Sequence, residues 1–507
     1  MSDKSLGRCF TETFLARGDK PALTFLRNGR TETELSYLEL ERDANRMAHV
    51  FQNLGVEKGD RVILFIPKSL IFVAAHLALQ KIGAICVPLN PGFKKSEMAY
   101  LLQDADAKVV MAHAGTEPLI VELDPDITRL IIDTGKPYQD IEIVPKASED
   151  FTPVELNADD PALIIYTSGT TGKPKGAVLT QMNLIHDARN IIKIWEISEE
   201  DTVCHALPLF HVHGLCFALH TALLAGGHVV MLDQFSPRRV IETLRRKDGP
   251  RVCTVFMAVP AMYGKLMQYL GHDRPDFEHM RLWTSGSAPL LPADFERIQH
   301  IFGKAPVERE GMSETGMNFS NPLLGSRKPG SIGIPLPQLE VRIVDPDTGT
   351  DLMPGQTGEF WLKGPAITPG YWRKPEETAK AFEKGWFKTG DLGHIDDDGY
   401  YYLTDRIKHI IISGGENISP KEVEAVLNRI EGVVESSVVG IADAKWGEKI
   451  VAAVVKSPAA DVGANEIQAY CKKHLHDWKC PKEIIFVKEL PRNTMGKVLK
   501  EEVKQLF

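Results

Sequence analysis

The sequence predicts an α/β fold in two parts: a large N-terminal domain of parallel-rich sheets with helices plus a small antiparallel β region, then a small α+β C-terminal domain. Three observations predict it. β-Branched runs alternate with amphipathic helical stretches from residue 61 onward, short strands and turns crowd together after about residue 335, and a well-marked helix start follows residue 418.

Arg61 to Pro67 reads as a strand, Leu70 to Gln80 as a helix, and Ala84 to Pro88 and Lys108 to Met111 as further strands. Strands separated by helices argue for parallel sheets covered on both faces. Leu163 to Tyr166, Thr254 to Val259 and Leu282 to Trp283 are apolar runs that end in polar or glycine-rich loops, and ligands of open α/β sheets collect at such carboxyl ends. Glu340 to Val344, Gly358 to Leu362 and Tyr400 to Leu403 form the closely spaced antiparallel region. Ser419, Pro420 and Glu422 offer an N-cap hydroxyl, a first-position proline and a capping-box carboxylate, opening a helix whose buried stripe is Val423, Val426 and Leu427. The α+β unit starts at Asp405, which gives domains of 1–404 and 405–507.

Composition sets the limits on function. The 507 residues are 43% hydrophobic and 25% charged, with 41 Gly and 32 Pro, which is ordinary globular usage and excludes collagen-like, disordered and disulfide-dense chains. Lys plus Arg number 59 against 68 Asp plus Glu, a formal charge of -9, so no global field attracts nucleic acid. A few cations focused in one cleft can still bind phosphate. The seven cysteines form no C-x-x-C pair, and Met1 to Ser5 lack the apolar run of a signal peptide, so a reduced, cytoplasmic protein is expected. Ala206 to Leu232 carries no Asp, Glu, Lys or Arg, yet Pro208, four histidines and Gly226-Gly227 make it a buried segment rather than a membrane span.

The most concentrated chemistry lies at Tyr166 to Ala177, YTSGTTGKPKGA. Hydroxyls of Thr167, Ser168, Thr170 and Thr171, the flexible backbone of Gly169 and Gly172, and the charge of Lys175 suit a triphosphate at a strand end. The run is not a Walker A loop, because two residues rather than four separate its first glycines and Pro174 follows Lys173. Gly311-Met312-Ser313-Glu314-Thr315 nearly matches the serine-hydrolase elbow but lacks its last glycine. His211 and His213, two apart without a carboxylate beside them, fall short of a metal site.

The run at Tyr166 resembles the signature of the AMP-forming acyl-CoA synthetase, adenylation-domain and luciferase superfamily, and further segments keep that family's order across nearly the whole chain. Leu207 to Leu215 is similar to the stretch lining the acyl pocket, with His211 in the usual aromatic-or-His place. Thr284 to Leu290 looks like the turn that cradles adenine with Ser287, Ala288 and Pro289 and borders the acyl channel at Ser285. Glu310 to Thr315 resembles the segment that meets the nucleotide through Gly311, Met312 and Ser313, and Glu314 falls on its Mg²⁺ ligand. Glu310 is a departure: the family most often has an aromatic there to stack on adenine, so either that stacking is lost or another side chain covers the base.

The resemblance implies that Asp391 accepts hydrogen bonds from both ribose hydroxyls, that Arg406 touches the nucleotide and that Lys408 is the hinge. It also implies that Gly414 and Gly415 line the pantetheine tunnel and that Lys497 enters the site for adenylation. The implied reaction is ATP-dependent formation of acyl-AMP with release of pyrophosphate, followed by acyl transfer to CoA, with catalytic roles for Lys497, Glu314 and Thr167. ATP, Mg²⁺, CoA and a small carboxylic acid are the implied partners of a monomer or homodimer. Residues around the pocket look close to malonyl-CoA synthetases, where arginines clamp the distal carboxylate, and Arg281 or Arg251 is the candidate clamp. An arginine near position 281 is also a structural residue in fatty and aryl acyl-CoA ligases, so a fatty acid, a short dicarboxylate and an aryl acid all stay open. A stand-alone adenylation enzyme loading a carrier protein and a luciferase-like enzyme share most of the motifs.

Overall fold

The computed structural model describes residues 5–141, 148–167, 173–249, 252–414, 416–458, 460–493 and 496–507. The chain forms two compact units, residues 1–340 with 363–387, and residues 341–362 with 388–507.

The first unit holds two sheets. Six strands of its nine-stranded sheet run parallel, in the order Val307–Met312, Leu282–Ser285, Val255–Ala258, Thr202–His205, His228–Leu232, Pro21–Arg27. Gly316–Ser320 and Ile334–Pro335 extend one edge antiparallel, and Arg30–Ser36 extends the other. The six-stranded sheet orders Thr128–Ile132, Val109–His113, Arg61–Phe65, Ile85–Pro88, Pro161–Thr167 and Lys175–Thr180, parallel except for the last pair. Continuous apolar runs such as Val62 to Phe65 arise because both faces of these strands are buried.

The helix Leu70–Ile82 is buried along its whole length. Its polar members are therefore partnered: Lys81 Nζ lies 2.6 Å from Glu41 Oε1, and His76 Nε2 lies 2.8 Å from His220 Nε2. The uncharged stretch after Ala206 breaks into a π-helix at His213–His220, a short helix at Thr221–Ala225 and the strand His228–Leu232. Among the described residues no helix is long and apolar enough to cross a membrane.

In the second unit Trp386–Ile395 pairs antiparallel with Tyr401–Arg406, placing Asp391 opposite Arg406. A further sheet orders Glu416–Ile418, Ile411–Ser413, Gly447–Lys456 and Val433–Asp443, with Glu483–Val487 parallel to Gly447–Lys456. The helix Pro420–Leu427 closes its core with Val423 and Leu427 among Ile411, Ile418, Val438 and Ile450.

The start of that helix corrects one expectation. Ser419 makes no side-chain cap bond. Its Oγ donates instead to Asp405 Oδ2 at 2.6 Å, and that same oxygen accepts Lys421 N at 3.0 Å. Asp405 is acceptor-only and reaches further than a hydroxyl, so it supplies the cap, and Glu422 is left to pair with Lys479 at 2.6 Å.

Candidate functional site

In the first unit the candidate residues gather at the carboxyl ends of parallel strands. Thr167 ends the strand Pro161–Thr167 and faces Lys175 on the antiparallel strand Lys175–Thr180. Thr167 Oγ1 donates to Glu314 Oε1 at 3.3 Å. Glu314 sits at the tip of the hairpin Val307–Met312 and Gly316–Ser320, where Thr368 N donates to its carbonyl oxygen at 2.7 Å. Tyr371, which the sequence reading did not single out, donates its hydroxyl to Glu314 Oε1 at 3.2 Å, and Lys175 Nζ lies 5.3 Å from the Tyr371 ring centroid. The Glu314 carboxylate offers hard oxygen, the ligand type that suits Mg²⁺. Ser168, Gly169, Thr170, Thr171, Gly172, Arg251 and Gly415 lie outside the described residues.

Glu310 does not stand alone. Its Oε2 accepts Asn318 Nδ2 at 3.0 Å, and Asn318 Nδ2 also reaches Thr315 Oγ1 at 2.7 Å, so the carboxylate braces the hairpin that carries Gly311, Met312, Ser313 and Glu314.

The turn after Leu282–Ser285 is backed by charge. Ser287 holds φ +68, a left-handed conformation that a non-glycine residue keeps only where its surroundings impose it. Its Oγ is 3.2 Å from His213 Nδ1. Ala288 is half-buried and Pro289 exposed on the same turn. Behind the turn lies Arg309, a second residue the sequence reading missed. It is 2% exposed, and none of its three guanidinium nitrogens has a hydrogen-bond partner among the described residues. The Phe217 ring faces it, with the centroid 5.0 Å from Cζ.

Burial pushes the Arg309 guanidinium down to about 10, partly offset by Glu310 and Asp187. Burial, then the Arg309 charge, hold His213 well below the usual imidazole range, and burial pushes His211 down to about 4. Both imidazoles are therefore neutral near pH 7. Ser285 Oγ, Thr284 Oγ1, His213 Nε2 and His211 Nε2 are also buried without a hydrogen-bond partner among the described residues. Such a concentration of unmet polar atoms marks a place where a ligand or water belongs.

Arg281 is placed elsewhere, which corrects its candidacy as a clamp. It precedes Leu282–Ser285 and so stands at the amino end of that strand. Its Nε and Nη2 bind Asp201 at 2.6 Å each, and Nη1 donates to Trp195 O at 3.0 Å. These partners occupy its fork in a structural bracket.

The second unit assembles the remaining candidates. Arg406 Nε lies 2.6 Å from Asp391 Oδ1 and Nη2 lies 3.2 Å from Oδ2, a bidentate pair that fixes the buried carboxylate. Lys497 is pushed down to about 8 by burial first and by Arg406, with Asp391 opposing and Lys408 and Lys421 adding to the shift. Lys408 falls in the short 3₁₀ turn Ile407–His409 directly after Arg406. Gly414 has φ +62 and lies against Trp446, whose ring an added Cβ would meet at 3.3 Å.

The chain matches the AMP-binding enzyme family over residues 10–372 and the AMP-binding enzyme C-terminal domain over residues 422–497. It is 36% identical to the mitochondrial malonate–CoA ligase ACSF3 of Bos taurus, over 88% of this chain and 82% of that protein. It is 35% identical to the long-chain-fatty-acid–CoA ligase FadD13 of Mycobacterium tuberculosis, over 94% of each. Among solved structures, ATP-bound MatB from Rhodopseudomonas palustris superposes with a TM-score of 0.93 at 36% identity, covering 99% of each chain. The chain thus belongs to the AMP-binding enzyme family, as an AMP-forming acid–thiol ligase.

Proposed function

We propose that this protein is a CoA ligase for a short dicarboxylate such as malonate, which it converts to acyl-AMP with release of pyrophosphate and then transfers to CoA. The buried Arg309 guanidinium, whose nitrogens have no hydrogen-bond partner among the described residues, carries this reading. An arginine held in the protein without partners is costly, and a second carboxylate on the substrate offsets that cost with a charge-assisted, bidentate pair. A hydrocarbon tail in the same place leaves the cost unpaid.

The reaction fits neutral imidazoles. A carboxylate is already ionised and attacks the α-phosphate of ATP without a general base, so His211 and His213 need only shape the acyl end. The barrier lies in charge building on phosphoryl oxygens, which fixed positive groups stabilise. In this reading Lys175 and Lys497 provide that charge, while Asp391, oriented by Arg406, accepts the ribose hydroxyls. Glu314, braced by Thr167 and Tyr371, would hold Mg²⁺, which supplies charge neutralisation at the phosphates when bound. In the second half the CoA sulfur bonds to the acyl carbon and the bond to AMP breaks. Lys408 is the proposed hinge of a lid beginning at residue 405, with Gly414 and Gly415 along the thiol's route.

The test is pyrophosphate release with malonate, methylmalonate, octanoate, palmitate and benzoate, each with and without CoA. Release with malonate or methylmalonate well above the other acids is expected. Faster release with octanoate or palmitate would overturn the dicarboxylate reading while leaving the ligase chemistry in place.

A further inference from the structure

Asp104 stands at one corner of a closed ring of contacts whose opposite corner is Glu314. Asp104 ends the helix Lys95–Ala105 one residue before its last, and its side chain is 6% exposed. Its Oδ2 accepts the Tyr166 hydroxyl at 2.9 Å, and Tyr166 is chain neighbour to Thr167, which binds Glu314. Its Oδ1 lies 2.6 Å from Lys374 Nζ, three residues beyond Tyr371, which also binds Glu314. The ring therefore runs from Asp104 through Tyr166 and Thr167 to Glu314, and back through Tyr371 and Lys374.

The same helix grips the far strand. Tyr100, one turn earlier, has its hydroxyl 3.1 Å from Asp104 Oδ1 and 2.9 Å from Pro174 O, directly before Lys175. That single proton is shared between two acceptors, so Asp104 and Tyr100 together hold Tyr166 on one strand and Pro174 beside the other. Arg309 is not among the residues of this ring.

We propose that Asp104 is a positioning residue for the ATP half-reaction, setting the spacing of Thr167 and Tyr371 and so the aim of the Glu314 carboxylate. An apolar side chain would fill the space but direct no hydroxyl, and a small misplacement of a charge-handling group is costly in rate. The proposal rests on reading Glu314 as the nucleotide end of the site.

Carboxylate-dependent ATP–pyrophosphate exchange tests it, alongside thioester formation from supplied acyl-AMP and CoA. In Asp104→Asn and Asp104→Leu, the KM for MgATP is expected to rise about tenfold, the scale of one lost charge-assisted hydrogen bond. The KM for the acid and the rate of the thioester half stay near wild type, and Asp104→Glu recovers part of the loss. Tyr166→Phe, which keeps the ring and removes one hydroxyl, moves the same parameter in the same direction and serves if the Asp104 variants do not fold. An unchanged KM for MgATP in the folded variants, or equal loss in both half-reactions, overturns the proposal. Wild-type enzyme assayed across the acid panel tests the substrate reading separately, since the Asp104 comparison runs on whichever acid is activated.

Discussion

The Arg309 guanidinium lies directly against the backbone of Gly286, so that a Cβ added there would sit 2.6 Å from Nε and 2.7 Å from Cζ. Glycine is required by this close approach rather than by a turn. The same Cβ would lie 2.7 Å from Arg309 O, so Gly286→Ala should displace both the guanidinium and its strand, raising the KM for malonate about tenfold, with a destabilisation of about 1–3 kcal/mol from overpacking. The KM for MgATP should change less. Steady-state kinetics with each substrate varied checks this, and equal shifts for both substrates would show that the turn, not the arginine, was disturbed.

Arg309→Met separates binding from stability. Losing a buried charge partner for the substrate should lower kcat/KM for malonate by about 10²–10³. The melting temperature should not fall, because the substitution removes a buried cation that has no hydrogen-bond partner among the described residues and replaces it with an apolar chain of similar length. Thermal unfolding beside kinetics decides the matter. A variant that melts several degrees lower yet still uses malonate would assign Arg309 to the core.

These two residues also show where sequence reading stops. The strand Pro161–Thr167 is legible because burial on both faces leaves an uninterrupted apolar run, and the motif residues Thr167 and Glu314 do meet. Arg309 is hidden because it stands in the run Glu308-Arg309-Glu310, where nothing in the local pattern sets one charge apart as buried. What buries Glu308 and Arg309 is pairing of Val307–Met312 with Leu282–Ser285 on one side and Gly316–Ser320 on the other, a long-range fact absent from the local pattern. Tyr371 lies 57 residues from Glu314 and has no periodicity to mark it. Arg281 carried a signal in strand direction: a residue before a parallel strand belongs to the amino end, away from the ligand edge.

Asp405 should contribute stability that depends on pH. Burial would raise its pKa, but hydrogen bonds from Ser419 Oγ and Lys421 N, the His409 imidazole 3.8 Å away and the Lys500 charge hold it well below the usual carboxylate range. A carboxyl depressed on folding stabilises the protein fully above its unfolded value of about 3.9, and that contribution is lost as pH falls through the folded value. Asp405→Asn should cost about 1–2 kcal/mol at pH 7, the scale of a lost helix cap. Urea midpoints of the two proteins should converge as pH is lowered below about 4. A constant gap down to low pH would mean that shape rather than charge makes the cap.

Lys497 should give adenylation an alkaline limb. Its amine is pushed down to about 8, by burial first and then by Arg406, so the free enzyme loses the charged form as pH rises through that value. Only the ammonium can stabilise charge on the phosphoryl oxygens, so kcat/KM for ATP in pyrophosphate exchange should fall about tenfold per pH unit above the pKa. Lys497→Ala should lower exchange by about 10²–10³ near neutrality and abolish the limb, leaving a flat profile. Lys497→Arg keeps its charge throughout the range and should be flat as well, with activity between the other two. Exchange contains no CoA, so thiol ionisation cannot mimic the effect. An alkaline limb of unchanged position in Lys497→Ala would assign the titration to another group and remove Lys497 from the adenylation step.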